Sequence, residues 1–430
     1  KILQESYMNK IKMIYIDPPY NTGNDFIYKD DFSRTRSEEL IESGQIDEEG
    51  GRLVANFESN GRYHSDWLSM MYPRLKLSRN LLRNDGVIFI SIGVEEVSNL
   101  KSICDEIFGE NNFVEIFSWV KTSTPPALST KSRKTNEYIL CYEKNRDGIK
   151  YDGEPLDGGD QPLLNSGNKV RELKFPKNIV YFKKEKFTNG ILKAGQPDRV
   201  LLKNDINIVD GYSTEDFILE GEFKWTQDFL DDEISKGTTF VIKSEKLSIR
   251  FIRDEDGFKR PANFIKEKYT TPLINKEDNG VGTNENASSL LSSIMGGDYF
   301  DYPKPVSLLK YLMNFKCSKD DIVLDFFSGS GTTAETVMEY NKENKSNLKY
   351  ILVQLPETLN PENAIDSNAK KKLLSTISFL EGISKNKNVC EIGKERIRRV
   401  GTQIKQKNND CVLDIGFRVL KLDSSNMKEV

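Results

Sequence analysis

Residues 13–23 read MIYIDPPYNTG. An apolar run of the kind that forms a buried strand stops on Asp17-Pro18-Pro19-Tyr20 and passes at once into turn residues. Proline has no N–H and fixes φ, so two in succession surrender two backbone donors and stiffen the corner. Sheet pairing gains nothing from that shape. Something other than sheet pairing must favour it.

Working outward, strand-like and helix-like segments alternate through residues 1–150. They are KMIYID (12–17), a helix from about 66 to 83, GVIFISI (86–92), a helix near 95–108 and EYILCYEK (137–144). Alternation of this kind marks an α/β layer fold. Residues 151–295 lose the rhythm. Short apolar runs such as VYFKK (180–184), FVIKS (240–244) and SIRFIR (248–253) sit there among Gly, Asp and Asn, which reads as a β-rich insert. From 296 to 430 the rhythm returns, with PVSLLKYLMNF (305–315) as helix, DIVLDFF (321–327) as strand, TTAETVMEYNKEN (332–344) as helix and KYILVQL (349–355) as strand. Helices are expected at about 366–380 and 389–407, and VLDIGFRVLKL (412–422) as a closing strand. The core is therefore expected to be one discontinuous domain.

IVLDFFSGSGTTAETVM, residues 322–338, is the second informative stretch. A strand runs through Asp325 and Phe326 into Ser328-Gly329-Ser330-Gly331, then into a helix that Thr332 or Thr333 can cap. Glycines let backbone approach a ligand closely, and a helix N-terminus offers unpaired N–H groups. A nucleoside-type cofactor is implied. Gly329-x-Gly331-x-x-Ala334 also satisfies a dinucleotide fingerprint, with Glu357 after the next strand as the ribose acid, so an oxidoreductase reading stays open. It leaves Asp17 to Tyr20 unused.

Together the two stretches carry a resemblance. DPPYNTGN and DFFSGSGTT are similar to the catalytic and cofactor motifs of the amino-methylating, S-adenosylmethionine-dependent DNA methyltransferases, and their order resembles the beta group of those enzymes. HSDWLSMMYPRLKLSRNLLRNDGVIFISI (64–92), SRKTNEYILCYEKN (132–145), DYPKPVSLL (301–309), EIGKERIRR (391–399) and DIGFRVLKLDSSN (414–426) extend it over nearly the whole chain. These segments resemble the modification subunit of type III restriction-modification systems, which carries further segments upstream of the catalytic strand.

The resemblance implies an α/β fold, a Rossmann-like S-adenosylmethionine-dependent methyltransferase fold with circularly permuted motif order and an inserted β-rich target-recognition domain. It implies methyl transfer to N6 of a flipped adenine in double-stranded DNA, a homodimer, a separate restriction subunit and a cytoplasmic location. Asp17 and the Pro18 carbonyl would accept the amino hydrogens, Pro19 would stiffen the corner and Tyr20 would stack on the base. Phe326, Ser328, Gly329, Gly331 and Thr332 would line the methionine side of the cofactor and Glu357 the ribose. Lys304 and Pro305 would meet its carboxylate end, and Asp325 would hold the turn or the methionine ammonium. An orphan adenine or cytosine-N4 methyltransferase, and a non-catalytic DNA-binding specificity protein, are the alternatives.

Composition narrows the chemistry. One histidine, His64, leaves little for triads or zinc sites, and its neighbourhood reads as a helix start with Ser65 as N-cap. The five cysteines are scattered without a C-x-x-C pair, so neither a metal site nor a disulfide framework is expected. No apolar run approaches the length of a membrane span. The formal charge of −4 gives no overall nucleic-acid signature. Residues 171–203, however, hold nine Lys or Arg against three acids, with Phe175, Tyr181, Phe182 and Phe187 interleaved. Lys174, Lys177, Lys183 and Lys184 are the candidate DNA contacts there, against the plainer reading of a solvated face.

Overall fold

The computed structural model describes residues 2–22, 63–122, 124–125, 130–153, 160–253, 260–265, 281–364, 367–407 and 413–421. The chain divides into two compact units, Lys1–Gly153 with Arg260–Val430, and Glu154–Lys259.

In the first unit, seven strands form one sheet: β1 (Ile11–Ile16), β2 (Leu82–Ile92), β3 (Phe113–Val120), β4 (Asn136–Glu143), β5 (Phe264–Ile265), β6 (Ile322–Asp325) and β7 (Lys349–Leu352). Their spatial order is β5-β3-β4-β2-β1-β6-β7. β4 runs antiparallel to both neighbours, and the other pairings are parallel. Helices α1 (Ile2–Tyr7), α2 (Tyr63–Leu81), α3 (Val97–Phe108), α4 (Asn284–Met295), α5 (Val306–Asn314), α6 (Thr332–Asn344), α7 (Ser367–Gly382) and α8 (Val389–Lys407) belong to the same unit.

Every residue of β1 is buried, as a central strand covered on both faces requires. Met13 and Tyr15 pack with Leu308, Leu309 and Leu312 of α5 and Val337 of α6. Ile14 and Ile16, pointing the other way, pack with Trp67, Met70, Met71 and Leu75 of α2 and Leu100 of α3. Lys12 is the polar exception in the strand, and its ammonium reaches Asp85 Oδ2 at 2.7 Å. The result is a helix–sheet–helix sandwich, the layer fold that the alternating pattern predicts.

Unit 154–259 is β-rich. One sheet of seven strands and one of three accompany a single described helix, Gln227–Ser235. The unit is narrower than the expected span 151–295, because 284–295 forms α4 of the first unit and Phe264–Ile265 pairs with β3. Phe175, Phe182 and Phe187, expected at a nucleic-acid surface, are instead buried in the unit's own core with Phe217, Trp225, Phe240 and Phe251. An insert of this size needs its aromatics to build a core at all.

Two further expectations are corrected. Residues 413–421 form no strand; Ile415 and Phe417 lie against the cluster built by α4, α6 and α8, and a Cβ on Gly401 of α8 would come within 3.2 Å of Ile415. Ser65 lies inside α2 and so does not cap it.

Lys316, just beyond α5, donates to Glu143 Oε1 at 2.5 Å and to Asp147 Oδ2 at 2.9 Å; the side chains of Lys316 and Glu143 are 2% and 3% exposed. Lys316→Met should lower unfolding free energy in urea by about 3–5 kcal/mol, because it strands a buried carboxylate. Adding Glu143→Leu should recover most of that loss. A single variant with unchanged stability would contradict the pairing.

Candidate active site

β1 and β6 lie side by side and parallel, with Met13 opposite Val323 and Ile14 opposite Leu324. From β1 the chain continues to β2 on one side, and from β6 to β7 on the other. The strand order therefore reverses between them, which opens a crevice beyond their carboxyl ends. Asp17-Pro18-Pro19-Tyr20 leaves one strand there and Ser328–Gly331 follows the other.

The corner is held from behind. Trp67, fully buried on α2, donates its indole N–H to the Pro19 carbonyl at 2.7 Å. Asn21 takes a left-handed φ of 59° and donates to Glu96 Oε1 at 2.6 Å. Its carbonyl accepts from the Tyr63 hydroxyl. Glu96 is wholly buried and also faces His64 Nδ1 at 2.6 Å and the Asn99 amide at 2.8 Å. His64 thus ties the start of α2 to the loop before α3. At Gly93 a Cβ would lie 3.1 Å from the Tyr20 ring, so glycine there leaves room for the aromatic.

In front of the corner, charges meet. Lys304 Nζ lies 3.0 Å from Asp17 Oδ1, 3.3 Å from Glu137 Oε2 and 4.9 Å from the Tyr20 ring centre. The Tyr20 hydroxyl donates to Glu137 Oε2 at 3.0 Å, and Lys121 donates to Glu137 Oε1 at 3.0 Å. Burial pushes the Asp17 carboxyl above its ordinary range although Lys304 opposes it. Burial acts on Glu137 too, but Lys304 and Lys121 outweigh it and hold that carboxyl low. Desolvation works against the Lys304 ammonium, and Asp17 and Glu137 together overcome it and raise its affinity for the proton. One acid is thus kept firmly ionised while its neighbour is a better proton acceptor.

At the glycine turn, Gly329 and Gly331 have φ of 45° and 79°. Asp325 accepts from the Thr333 hydroxyl at 2.6 Å and the Phe327 N–H at 3.0 Å, which pins the turn to its strand. Arg396 of α8 is fully buried. It donates to Glu335 Oε2 at 2.6 Å and to the hydroxyls of Ser330 and Thr332, each at 2.8 Å. Gly393, one turn earlier, brings α8 so close that a Cβ there would lie 3.2 Å from the Gly329 carbonyl. The half-buried Phe326 and Phe300 flank the turn; a Cβ on Gly329 would meet the Phe300 ring at 3.1 Å. Ser328 and Thr332 are buried, Pro305 is buried at the start of α5, and Glu357 is exposed beyond β7.

Sequence reasoning missed Glu137, Lys121, Trp67, Glu96 and Arg396. Glu137 had a signal, an acid at the head of an otherwise apolar run. In the insert, Lys174 lies 3.1 Å from Asp216, Lys184 3.4 Å from Asp210 and Lys183 3.8 Å from Glu185. Lys193, Arg199 and Lys203 pair with Asp205, Glu222 and Glu172. Lys177 is exposed, and its backbone N–H donates to Asp216. Much of the positive charge of 171–203 is therefore matched within the unit.

Among the described residues no group of His, Cys, Asp and Glu could hold a metal ion, and no helix is long and apolar enough to cross a membrane.

A family model described as DNA methylase, covering N6 and N4 methyltransferases, matches residues 11–395. The chain is 33% identical over 417 residues to the StyLTI Mod subunit of a type III restriction-modification enzyme from Salmonella typhimurium, covering 97% of this chain and 57% of that protein. It is 29% identical over 437 residues to the EcoPI Mod subunit from Escherichia phage P1, covering 98% and 63%. It is 23% identical over 397 residues to the type II methyltransferase M.KpnI from Klebsiella pneumoniae, covering 89% and 85%. The chain spans less than two thirds of the two Mod subunits.

Asp325 gives the site a pH signature. Burial lifts its carboxyl from the ordinary 3.8 to about 7, against the Thr333 and Phe327 hydrogen bonds. Between those values the folded chain keeps a proton that the unfolded chain has lost, so this group makes stability fall as pH rises through the window. Asp325→Asn keeps one oxygen for the Phe327 N–H and presents an amide N–H to the Thr333 hydroxyl, which can turn to accept it, and should flatten that slope. Urea unfolding from about pH 5 to about pH 8 should show the wild type losing stability relative to the variant as pH rises. Parallel curves would contradict the burial of an ionisable group here.

Proposed function

The chain belongs to the DNA methylase family of N6 and N4 methyltransferases, and from that premise we propose that it transfers a methyl group from S-adenosylmethionine to N6 of an adenine swung out of double-stranded DNA. The observation that carries the reading is the stiff acceptor corner at the end of β1 beside the glycine turn at the end of β6.

An exocyclic amino nitrogen delocalises its lone pair into the ring and is a weak nucleophile. Two acceptors on its hydrogens turn the lone pair outward, and in this reading they are the Asp17 carboxylate and the Pro18 carbonyl. Trp67, through Pro19, keeps the second acceptor from moving. Tyr20, its hydroxyl tethered to Glu137, offers its ring for stacking. The raised proton affinity of Asp17 suits a group that takes hydrogen bonds from the amine and then receives the proton that the alkylated nitrogen sheds.

The residues at the turn fit a nucleoside cofactor. Two glycines with positive φ, walls of Phe300 and Phe326, and an acid beyond the next strand are the features such a ligand uses. Bound there, S-adenosylmethionine supplies an electrophilic sulfonium methyl. Ser328, Gly329, Gly331 and Thr332 would border its amino-acid end and Glu357 the ribose hydroxyls, while Asp325 and Arg396 hold the turn in shape. The unit 154–259 is assigned to target recognition. The names of the Mod relatives support a modification subunit of a type III restriction-modification enzyme; a specificity role, a homodimer, a separate restriction subunit and a cytoplasmic location belong to the same proposal.

Incubation with DNA and methyl-labelled S-adenosylmethionine, followed by base analysis, tests the reading. N6-methyladenine is expected; N4-methylcytosine would redirect it to the other family chemistry, and no methylated base would overturn it. Asp17→Ala should slow transfer by about two orders of magnitude or more while DNA binding stays near wild type. A variant methylating at the normal rate would remove Asp17 from the mechanism.

A further inference from the structure

Resting on the methylation reading, we infer that Lys304 is a displaceable counter-ion that fills the acceptor corner until the target base arrives, and that Glu137 is the carboxylate that takes it over. Three contacts of one ammonium carry this. It lies 3.0 Å from Asp17 Oδ1, 4.9 Å from the Tyr20 ring centre and 3.3 Å from Glu137 Oε2. The first is where an amino group would donate, and the second is the face on which a base would stack. The third is the only one of the three that a bound base leaves untouched.

The fit at Asp17 is provisional in its geometry. Asp17 Oδ1 is buried yet receives no directed hydrogen bond, so the ammonium neutralises it without satisfying it. A better-aligned donor gains there. Glu137 is built to stay behind, because Lys121 holds one of its oxygens and the Tyr20 hydroxyl the other. Lys304 needs only to slide from the shared position to Glu137, and Asp17 is released. The corner also holds a cationic nitrogen before reaction, which is the charge the target nitrogen carries once the methyl has moved. Such a site is matched to the charge that develops and not to the neutral amine alone.

Lys304 was expected from the resemblance at the carboxylate of the cofactor, and the two roles separate experimentally. The probe is a duplex in which the methylated adenine, mapped by the transfer assay, is replaced by 2-aminopurine, which brightens when unstacked. Lys304→Met should raise that fluorescence above wild type without cofactor and leave S-adenosylmethionine affinity within about twofold. Glu137→Gln keeps hydrogen-bonding groups for Tyr20 and guards against a folding failure of the first variant. By leaving Lys304 with Asp17 alone, it should lower the fluorescence and raise KM for DNA about tenfold, with KM for S-adenosylmethionine unchanged.

Unchanged fluorescence in both variants, beside a wild type that methylates, would overturn the inference and leave the methylation reading intact. So would a tenfold loss of S-adenosylmethionine affinity in Lys304→Met with fluorescence unmoved, which would put Lys304 on the cofactor. A wild type that makes no methylated base would overturn both.

Discussion

The pairing of β1 with β6 is the constraint on which the rest depends. These two parallel strands are separated by more than three hundred residues in sequence, yet Met13 faces Val323 and Ile14 faces Leu324. Their register sets the acceptor corner and the glycine turn side by side beyond the carboxyl ends of these strands. A slip by one residue would exchange the faces of β1, sending Met13 and Tyr15 toward α2 and Ile14 and Ile16 toward α5. Both faces are filled by fully buried side chains of different shape, so the packing of the sandwich and the alignment of the site are one problem.

What the sequence made legible follows from how strongly a residue type limits its own backbone. Pro18, Pro19, Gly329 and Gly331 restrict or permit conformations regardless of their surroundings, and the two turns could be read from them alone. Glu137, Trp67 and Arg396 act through partners 117, 48 and 61 to 66 positions away; nothing local marks Trp67 or Arg396, and the acid at the head of β4 does not say what it meets. The charge count over 171–203 could not show how much of that charge is matched, for the same reason. Its partners Asp205, Asp210, Asp216 and Glu222 come later in the chain and fold back across strands. Periodicity likewise placed most helices to within a few residues but read 412–422 as a strand, since alternation cannot tell a sheet edge from an extended segment lying on helices.

Of the four buried Lys and Arg described in the first unit, three follow one pattern. Lys12 meets Asp85, Lys316 meets Glu143 and Asp147, and Arg396 meets Glu335 with two hydroxyls, each joining separate elements through directed hydrogen bonds. Pairs of this kind add little net stability, because desolvation offsets most of the attraction, but they penalise any arrangement that separates the partners. Lys304 differs. It is 7% exposed and sits between two carboxylates that both compete for it, and one of their oxygens lacks a directed donor. Stability alone would favour closing that pair as the others are closed. An incompletely satisfied carboxylate at the end of a central strand, kept beside an aromatic ring and a rigid double-proline corner, is what a site needs if its last hydrogen bond is to come from a ligand.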